Sequence, residues 1–458
     1  MRIYLDNCVF QDLKNPNQKE LLDAIMDDKE HNIYCYSEAH LQDLIRDKSN
    51  EKFSDLEFMG TIVDGNCWYY ENQILFDHTK PIDYYKPFPK YSDKLIDFDE
   101  LMNDDLLSLI KPLFKTVPIN LKGLIKKEDY PKEVFEQFSS LIENPTNLYE
   151  FISVFGDYTN DLSSSKKKDF KALISYLHQN IDSTLLFTHV GIEGFDGEKI
   201  TDKEKFRESY TKHFLKGTKG KLRYDLFLDQ YNGLEFFSFV KGKPRKQKMM
   251  SLINDGRHAF FGGFNDFVVS KDTDFINKTK FIYEMHGIQT SVLNIQEFNE
   301  LLETFKYERT LKLQDMINES SEVEKERIII DKEGCLFFEL KNTYFSYFNA
   351  INYITNDIGS YYFFTKYLEN MSAGSLKNEF EYLVNQFLNM LGPSLDNISG
   401  FSMEEIKDEK WKGRSWKIDK TIIELNFKGK LYLAFYQIDY IEKSQKHNRV
   451  GCPTSKNR

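Results

Sequence analysis

The chain has 458 residues, 41% hydrophobic and 15% aromatic, with a formal net charge of −11. That is more than one domain usually holds, with enough apolar side chains for real cores, so a disordered protein is excluded. The acidity excludes a surface coated in positive charge, leaving any nucleic-acid contact to a local basic patch.

The five cysteines, Cys8, Cys35, Cys67, Cys335 and Cys452, are scattered and form no CxxC pair. That is the usage of a reducing cytosol rather than of a disulfide scaffold or zinc site. No apolar stretch approaches the ~18 residues of a membrane span, and the first strand runs into charged residues. The expectation is a soluble cytoplasmic protein with no membrane partner.

The opening segment predicts compact α/β structure over 1–63. Arg2–Leu5 alternates as a short strand, and Gln18–Asp28 carries Leu21, Leu22, Ile25 and Met26 at helical spacing. Ile33–Tyr36 reads as a second strand, and Ser37 can cap a helix that buries Ala39, Leu41, Leu44 and Ile45. A further helix runs from Ser54 to Val63. Strand, helix, strand at this spacing is the βαβ unit of a parallel sheet.

Residues 64–240 read as a mostly helical insertion. After a proline-containing polar stretch, helices are expected at Phe98–Phe114, Pro131–Ile142, Leu148–Tyr158, Lys166–Asn180, Asp202–Leu215 and Arg223–Val240. The α/β pattern returns at 241–305. A helix over 245–261 precedes the strand Phe267–Ser270, the helix Asp274–His286 with Gly287 as its C-terminal cap, the strand Thr290–Leu293 and the helix Gln296–Glu303. Residues 306–458 read as an α+β accessory region. It has hairpins at Glu326–Ile330/Cys335–Leu340 and Trp416–Phe427/Leu431–Tyr440, and helices at Tyr344–Tyr353, Ile358–Glu369 and Ser375–Met390.

Four acids stand where an open α/β sheet collects ligands. Asp6 and Glu38 follow the first two strands, Asp255 lies on the helix before the third, and Asp272 at that strand's end. Hard divalent cations want oxygen ligands, and crowded carboxylates repel unless a cation neutralises them. Each acid also has a plainer role. Asp6 alone is a turn or cap residue, Glu38 a first-turn carboxylate and Asp274 the cap of the helix Phe275–His286. His40 and His258 read first as structural histidines.

The segments Ile3-Tyr4-Leu5-Asp6-Asn7-Cys8-Val9, Tyr36 to Leu44 and Asp255 to Phe275 resemble the PIN-domain nucleases. The resemblance implies a parallel sheet between helices and metal-dependent cleavage, usually of RNA, less often of single-stranded or flap DNA. Carried over, Asp6, Glu38, Asp255 and Asp272 are the four acids holding Mg²⁺ or Mn²⁺. Asn7 takes the polar position after the first acid, and Asp274 is an auxiliary ligand. The departure is the long insertion between the second and third acids. By analogy, the large accessory regions suggest a regulated toxin or antiviral effector, with a regulatory protein or a second copy as partner.

Lys241, Lys243, Arg245, Lys246 and Lys248 lie just before the helix of Asp255 and suggest a phosphate-backbone clamp, or else a solubilising loop. Tyr231, Phe236, Phe237 and Phe239 can stack on bases, but their spacing suits a core better. The alternative to a nuclease is a non-catalytic member of the fold that binds a protein through its aromatic accessory region. A phosphatase or phosphotransferase ranks last, because no DxDx[TV] or GxxxxGK[ST] loop is present.

Overall fold

The computed structural model describes residues 1–45, 51–86, 191–196, 199–215, 223–236, 249–320, 327–332, 335–356, 359–367, 373–398, 400–401, 405, 413–427 and 431–437. The helices expected between Phe98 and Asn180, the basic run Lys241–Lys248 and the C-terminal tail lie outside these residues. Among the described residues no helix is long and apolar enough to cross a membrane.

The fold is mixed α/β. In chain order the first half has β1 (Arg2–Leu5), α1 (Asn7–Leu13), α2 (Lys19–Asp28), β2 (Ile33–Ser37), α3 (Glu38–Ile45), α4 (Glu51–Val63), β3 (Asn66–Tyr70), β4 (Ile74–His78) and α5 (Pro81–Tyr85). The short pair β5 (Phe195–Asp196) and β6 (Lys199–Ile200) leads into α6 (Lys203–Leu215) and α7 (Arg223–Phe236). Then come α8 (Met249–Gly262), β7 (Phe267–Val269), α9 (Thr273–His286), β8 (Ser291–Leu293), α10 (Ile295–Glu308) and α11 (Leu313–Ser320).

These strands form one sheet in the order β4-β3-β2-β1-β7-β8, parallel throughout except for the antiparallel edge pair β3/β4. β1 is central and buried at all four positions, as a strand covered on both faces must be. Period-two alternation sends Tyr4 to one apolar layer and Ile3 and Leu5 to the other. α6, α7, α8 and α9 build the first layer, and α1, α2, α4 and α10 the second.

Two expected boundaries move. The first part of the core does not stop at 63, because β3 pairs with β2 and extends the parallel sheet. Nor are α6 and α7 remote from it: Phe206, Tyr210, Phe227 and Tyr231 share a core with Tyr4, Trp68 and Val268. Tyr231 is thus a core residue.

The C-terminal half is a seven-stranded antiparallel sheet in the order β13-β14-β15-β12-β11-β10-β9. Its strands are β9 (Ile328–Lys332), β10 (Cys335–Tyr344), β11 (Phe348–Asn356), β12 (Gly359–Thr365), β13 (Arg414–Ile418), β14 (Thr421–Phe427) and β15 (Leu431–Gln437). α12 (Ala373–Leu391) lays Phe380, Leu383, Val384 and Phe387 on it, an apolar stripe at helical spacing. The two segments expected as helices, Tyr344–Tyr353 and Ile358–Glu369, are instead the adjacent strands β11 and β12. Trp416–Phe427 is not one strand but two, turning at Asp419 with φ 50°.

The halves meet at the base of the parallel sheet. Lys366 Nζ lies 2.7 Å from Asp266 and 3.0 Å from Glu379, and Arg2 Nε lies 3.4 Å from Glu379, all four side chains buried. Asp266 also accepts the Arg2 N–H at 2.6 Å, so the cluster grips the start of β1.

Candidate active site

β1 delivers Asp6 at the carboxyl edge of the sheet, where open α/β folds place their sites. The Asp6 N–H donates to the Val269 carbonyl at 2.9 Å, which holds the end of β1 to the end of β7. One Asp6 oxygen accepts from Ser270 Oγ at 2.6 Å and from Cys8 Sγ at 3.0 Å. Burial, then the Asp6 charge, pushes the Cys8 thiol far above its ordinary range, so it stays protonated as a donor.

Asp272 is tied to the same hydroxyl, its N–H donating to Ser270 Oγ at 3.1 Å. Its carboxylate caps α9, accepting from the Asp274 and Phe275 N–H groups at 2.8 and 3.2 Å. The cap of this helix is therefore Asp272, and Asp274 lies in its first turn. Gly287 closes the helix with φ 65°, as the sequence predicts.

Asp255, on α8, is the electrostatically unusual acid. Burial pushes its carboxyl up to about 8, opposed by Lys278 and reinforced by the negative charges of Asp6 and Asp43. Lys278 is itself buried, with its ammonium 5.2 Å from the centre of the Tyr231 ring.

Glu38 does not join Asp6 and Asp255. Burial pushes it up to about 7, against the charge of Arg257 and a hydrogen bond from the Tyr70 N–H. Its other electrostatic neighbours are Tyr224, Cys67 and Tyr84, on the β3 side of the sheet. Its resolved partners thus lie with α8 and β3 rather than with Asp6.

The acid that α3 does contribute is Asp43. His258 Nε2 lies 3.0 Å from one of its oxygens, Asn254 Nδ2 donates to the other at 2.6 Å, and Asn7 Nδ2 approaches at 3.5 Å. Burial works against this carboxylate, but the hydrogen bond and charge of His258 win and hold it below its ordinary value. For His258 the contest has the same outcome: burial pulls its pKa down, and Asp43, then Asp6 and Asp255, push it up. Both shifts favour the ion pair.

Behind His258 runs a buried polar chain. His258 Nδ1 is 2.8 Å from Tyr4 Oη, and Tyr4 Oη is 2.7 Å from Ser37 Oγ. When the imidazole is protonated it donates at both nitrogens, and the Tyr4 hydroxyl then accepts from His258 and donates to Ser37. His40 takes the opposite state. Burial and the neighbouring His258 hold its pKa down at about 3. Its Nε2 donates to the Leu5 carbonyl at 2.8 Å and its Nδ1 accepts the Ser37 N–H at 3.1 Å, which fixes the tautomer. The two histidine rings stand edge to face at 4.6 Å, their pKa values shifted in opposite directions.

Comparison with protein-family models, curated proteins and solved structures finds no match. The site is therefore read from its own chemistry.

Asp6 and Asp43 both act on Asp255 at this edge, all three act on His258, and Asp272 is linked through Ser270. Among the described residues, no group of three His, Cys, Asp or Glu side chains is close enough to hold a metal ion as it stands. The donors nonetheless suit a hard cation in kind. The side-chain oxygens Asn7 Oδ1 and Asn254 Oδ1 are buried beside Asp43 without hydrogen-bond partners, and a cation would offset the burial and the carboxylate charges that raise Asp255. Asp43 escaped the sequence reading because its partners are more than 200 positions away. The available signal was an acid one turn after Ala39 and His40 on the buried face of α3.

Proposed function

We propose that this chain is a PIN-like, divalent-metal-dependent nuclease, with RNA favoured over single-stranded DNA as substrate. Asp6, Asp43 and Asp255 are its acids. The observation that carries the reading is Asp255 at the carboxyl edge of a parallel sheet, a carboxyl that burial pushes up against Lys278 and His258, with Asp6 and Asp43 adding to the rise. A parallel sheet covered by helices on both faces agrees with what the resemblance implies.

Asp6, Asp43 and Asp255 would hold Mg²⁺ or Mn²⁺, which supplies Lewis-acid polarisation of a phosphoryl oxygen. The chain's own groups then have separable tasks. Ser270 orients Asp6 and ties it to the turn that carries Asp272. His258 keeps Asp43 ionised, and Asn7 leans on the same carboxylate from the first turn of α1. Tyr4, Ser37 and His40 fill the space behind with satisfied polar groups, which keeps water from the rear of the site. Asp274 serves α9, and Glu38 serves the β3 side, rather than the reacting phosphate. The antiparallel C-terminal half, tied to the base of β1, is where a protein partner or second copy would regulate a toxin-like or defensive activity.

The test is cleavage of labelled RNA, single-stranded DNA and duplex DNA with Mn²⁺, Mg²⁺ or EDTA. Metal-dependent RNA cleavage lost in Asp6→Asn and Asp255→Asn is expected. Cleavage indifferent to EDTA, or full activity in both variants, overturns the reading.

One observation favours a second reading, a non-catalytic protein-binding member of the fold. Asp272 is engaged as a helix cap, and both Asp43 oxygens are bonded internally. That reading predicts no heat of Mn²⁺ binding in calorimetry, and a protein partner lost on deletion of residues 306–458.

A further inference from the structure

We propose that His258, assisted by Asn254, is the positioning residue that makes Asp43, rather than Glu38, the second acid of the site. The inference rests on the nuclease reading for its consequence but on hydrogen-bond geometry for its substance.

Asn254 and His258 are four residues apart on α8, so they project from one face, one turn above the other. Each reaches a different oxygen of Asp43, at 2.6 and 3.0 Å. Asn254 Nδ2 also donates to the Ala39 carbonyl at 2.8 Å, which ties α8 to the backbone of α3 one turn before Asp43. This double donation fixes the orientation of the amide, and its oxygen is left buried and unpartnered beside the carboxylate.

His258 is anchored from behind. Its ring is 2% exposed, and its second nitrogen is held by Tyr4, which is held by Ser37 at the end of β2. Rotating the imidazole away from Asp43 would break both hydrogen bonds inside a buried site. Asp43 retains a quarter of its side-chain surface, so the carboxylate is gripped on its inner side and open on its outer one. Asp255 sits one residue along α8 from Asn254, so a single helix sets the place of two acids. Glu38 is held differently, by the charge of Arg257 and the Tyr70 N–H.

The experiment compares wild type with His258→Gln, Asn254→Ala, Asp43→Asn and Glu38→Gln, after thermal unfolding has shown which variants fold. Two signals are read on the full chain: the downfield ¹H–¹⁵N resonance of the His258 imidazole, and Mn²⁺ affinity by calorimetry. The His258 N–H signal should persist in Glu38→Gln and disappear or shift to the free-imidazole position in Asp43→Asn. Mn²⁺ affinity should fall about 10–100-fold in His258→Gln, at least as far in Asp43→Asn, and stay within about twofold in Glu38→Gln. Loss of Mn²⁺ binding in Glu38→Gln with Asp43→Asn unaffected overturns the assignment. So does an imidazole resonance unchanged by Asp43→Asn. Should the wild type bind no Mn²⁺, the nuclease reading fails, while the imidazole resonance still decides whether His258 holds Asp43.

Discussion

The two ends of the parallel sheet gather buried charge in opposite ways. At the base, Arg2 and Lys366 face Asp266 and Glu379, two cations for two carboxylates. Burial opposes the Asp266 charge, but Lys366 and Arg2 outweigh it and hold the group below its ordinary value. At the carboxyl edge burial prevails and Asp255 moves up instead, with Asp6 and Asp43 adding to the rise and Lys278 and His258 opposing it. The base cluster is fully buried and the acids of the carboxyl edge only partly so, yet burial opposes ionisation at both. What differs is the balance of charge. At the base two cations outweigh burial. At Asp255 burial wins over Lys278 and His258, with Asp6 and Asp43 on its side, the imbalance that the proposed cation would offset.

The sharpest way to break this comparison is to remove one charge from each end. Lys366→Met strands Asp266 and Glu379 without their shared cation and should cost about 3–5 kcal/mol in urea unfolding. Asp255→Asn, which relieves repulsion, should cost far less in the absence of metal. Equal losses would make the carboxyl edge a second structural cluster.

The seam offers a titration test. Burial pushes Glu308, at the end of α10, up to about 7, although it accepts the Thr343 N–H at 2.6 Å. A carboxyl whose folded pKa exceeds its unfolded value of ~4.5 favours the folded state when protonated. Its contribution is therefore complete below the unfolded pKa and is lost as pH rises through about 7. Relative to the wild type, Glu308→Gln should gain on the order of 3 kcal/mol between pH 4.5 and 8. A parallel pH dependence for the two proteins would refute it.

Cation addition sharpens the other end. Mn²⁺ at 100 times its Kd should raise wild-type stability by about 2.7 kcal/mol, with EDTA abolishing the gain. Asp6→Asn and Asp255→Asn should show little of it, and Lys366→Met should keep it if the variant folds.

The smallest effect concerns how α8 is seated. A Cβ at Gly262 would lie 2.5 Å from Val268 Cγ2 and 2.8 Å from Tyr283 Oη. Gly262→Ala should therefore cost about 1–3 kcal/mol and shift the helix bearing Asn254, Asp255 and His258. Weakened Mn²⁺ binding with Lys366 contacts intact would mark the effect as local to the carboxyl edge.

Legibility in the sequence followed the range of the interactions involved. β1, β2 and the amphipathic α2 and α10 were readable because local periodicity sets them. Asp6 and Asp255 were readable because strand ends and helix faces carry a positional meaning. The hairpin β10–β11 was not. Its turn places Phe345 and Ser346 at φ 54° and 51°, the positive-φ pattern that Asn-Gly normally supplies. Here packing of Phe345 on Phe387, 4.9 Å between ring centres, accompanies a conformation the local sequence does not favour. The aromatic runs of β11 and β12 read as helix because their spacing permits either period, and pairing with β10 and β15 decided between them.

By itself the sequence determined a parallel α/β core with acids at strand ends, since hydrophobic period and strand-end position are local properties. Tertiary structure alone decided which acids meet. Glu38 and Asp43 lie on one short helix, and only the docking of α8 against it turned Asp43 toward His258 and left Glu38 facing Arg257. A carboxylate's role depends on the charges within a few ångströms of it, and here those charges come from residues more than 200 positions away.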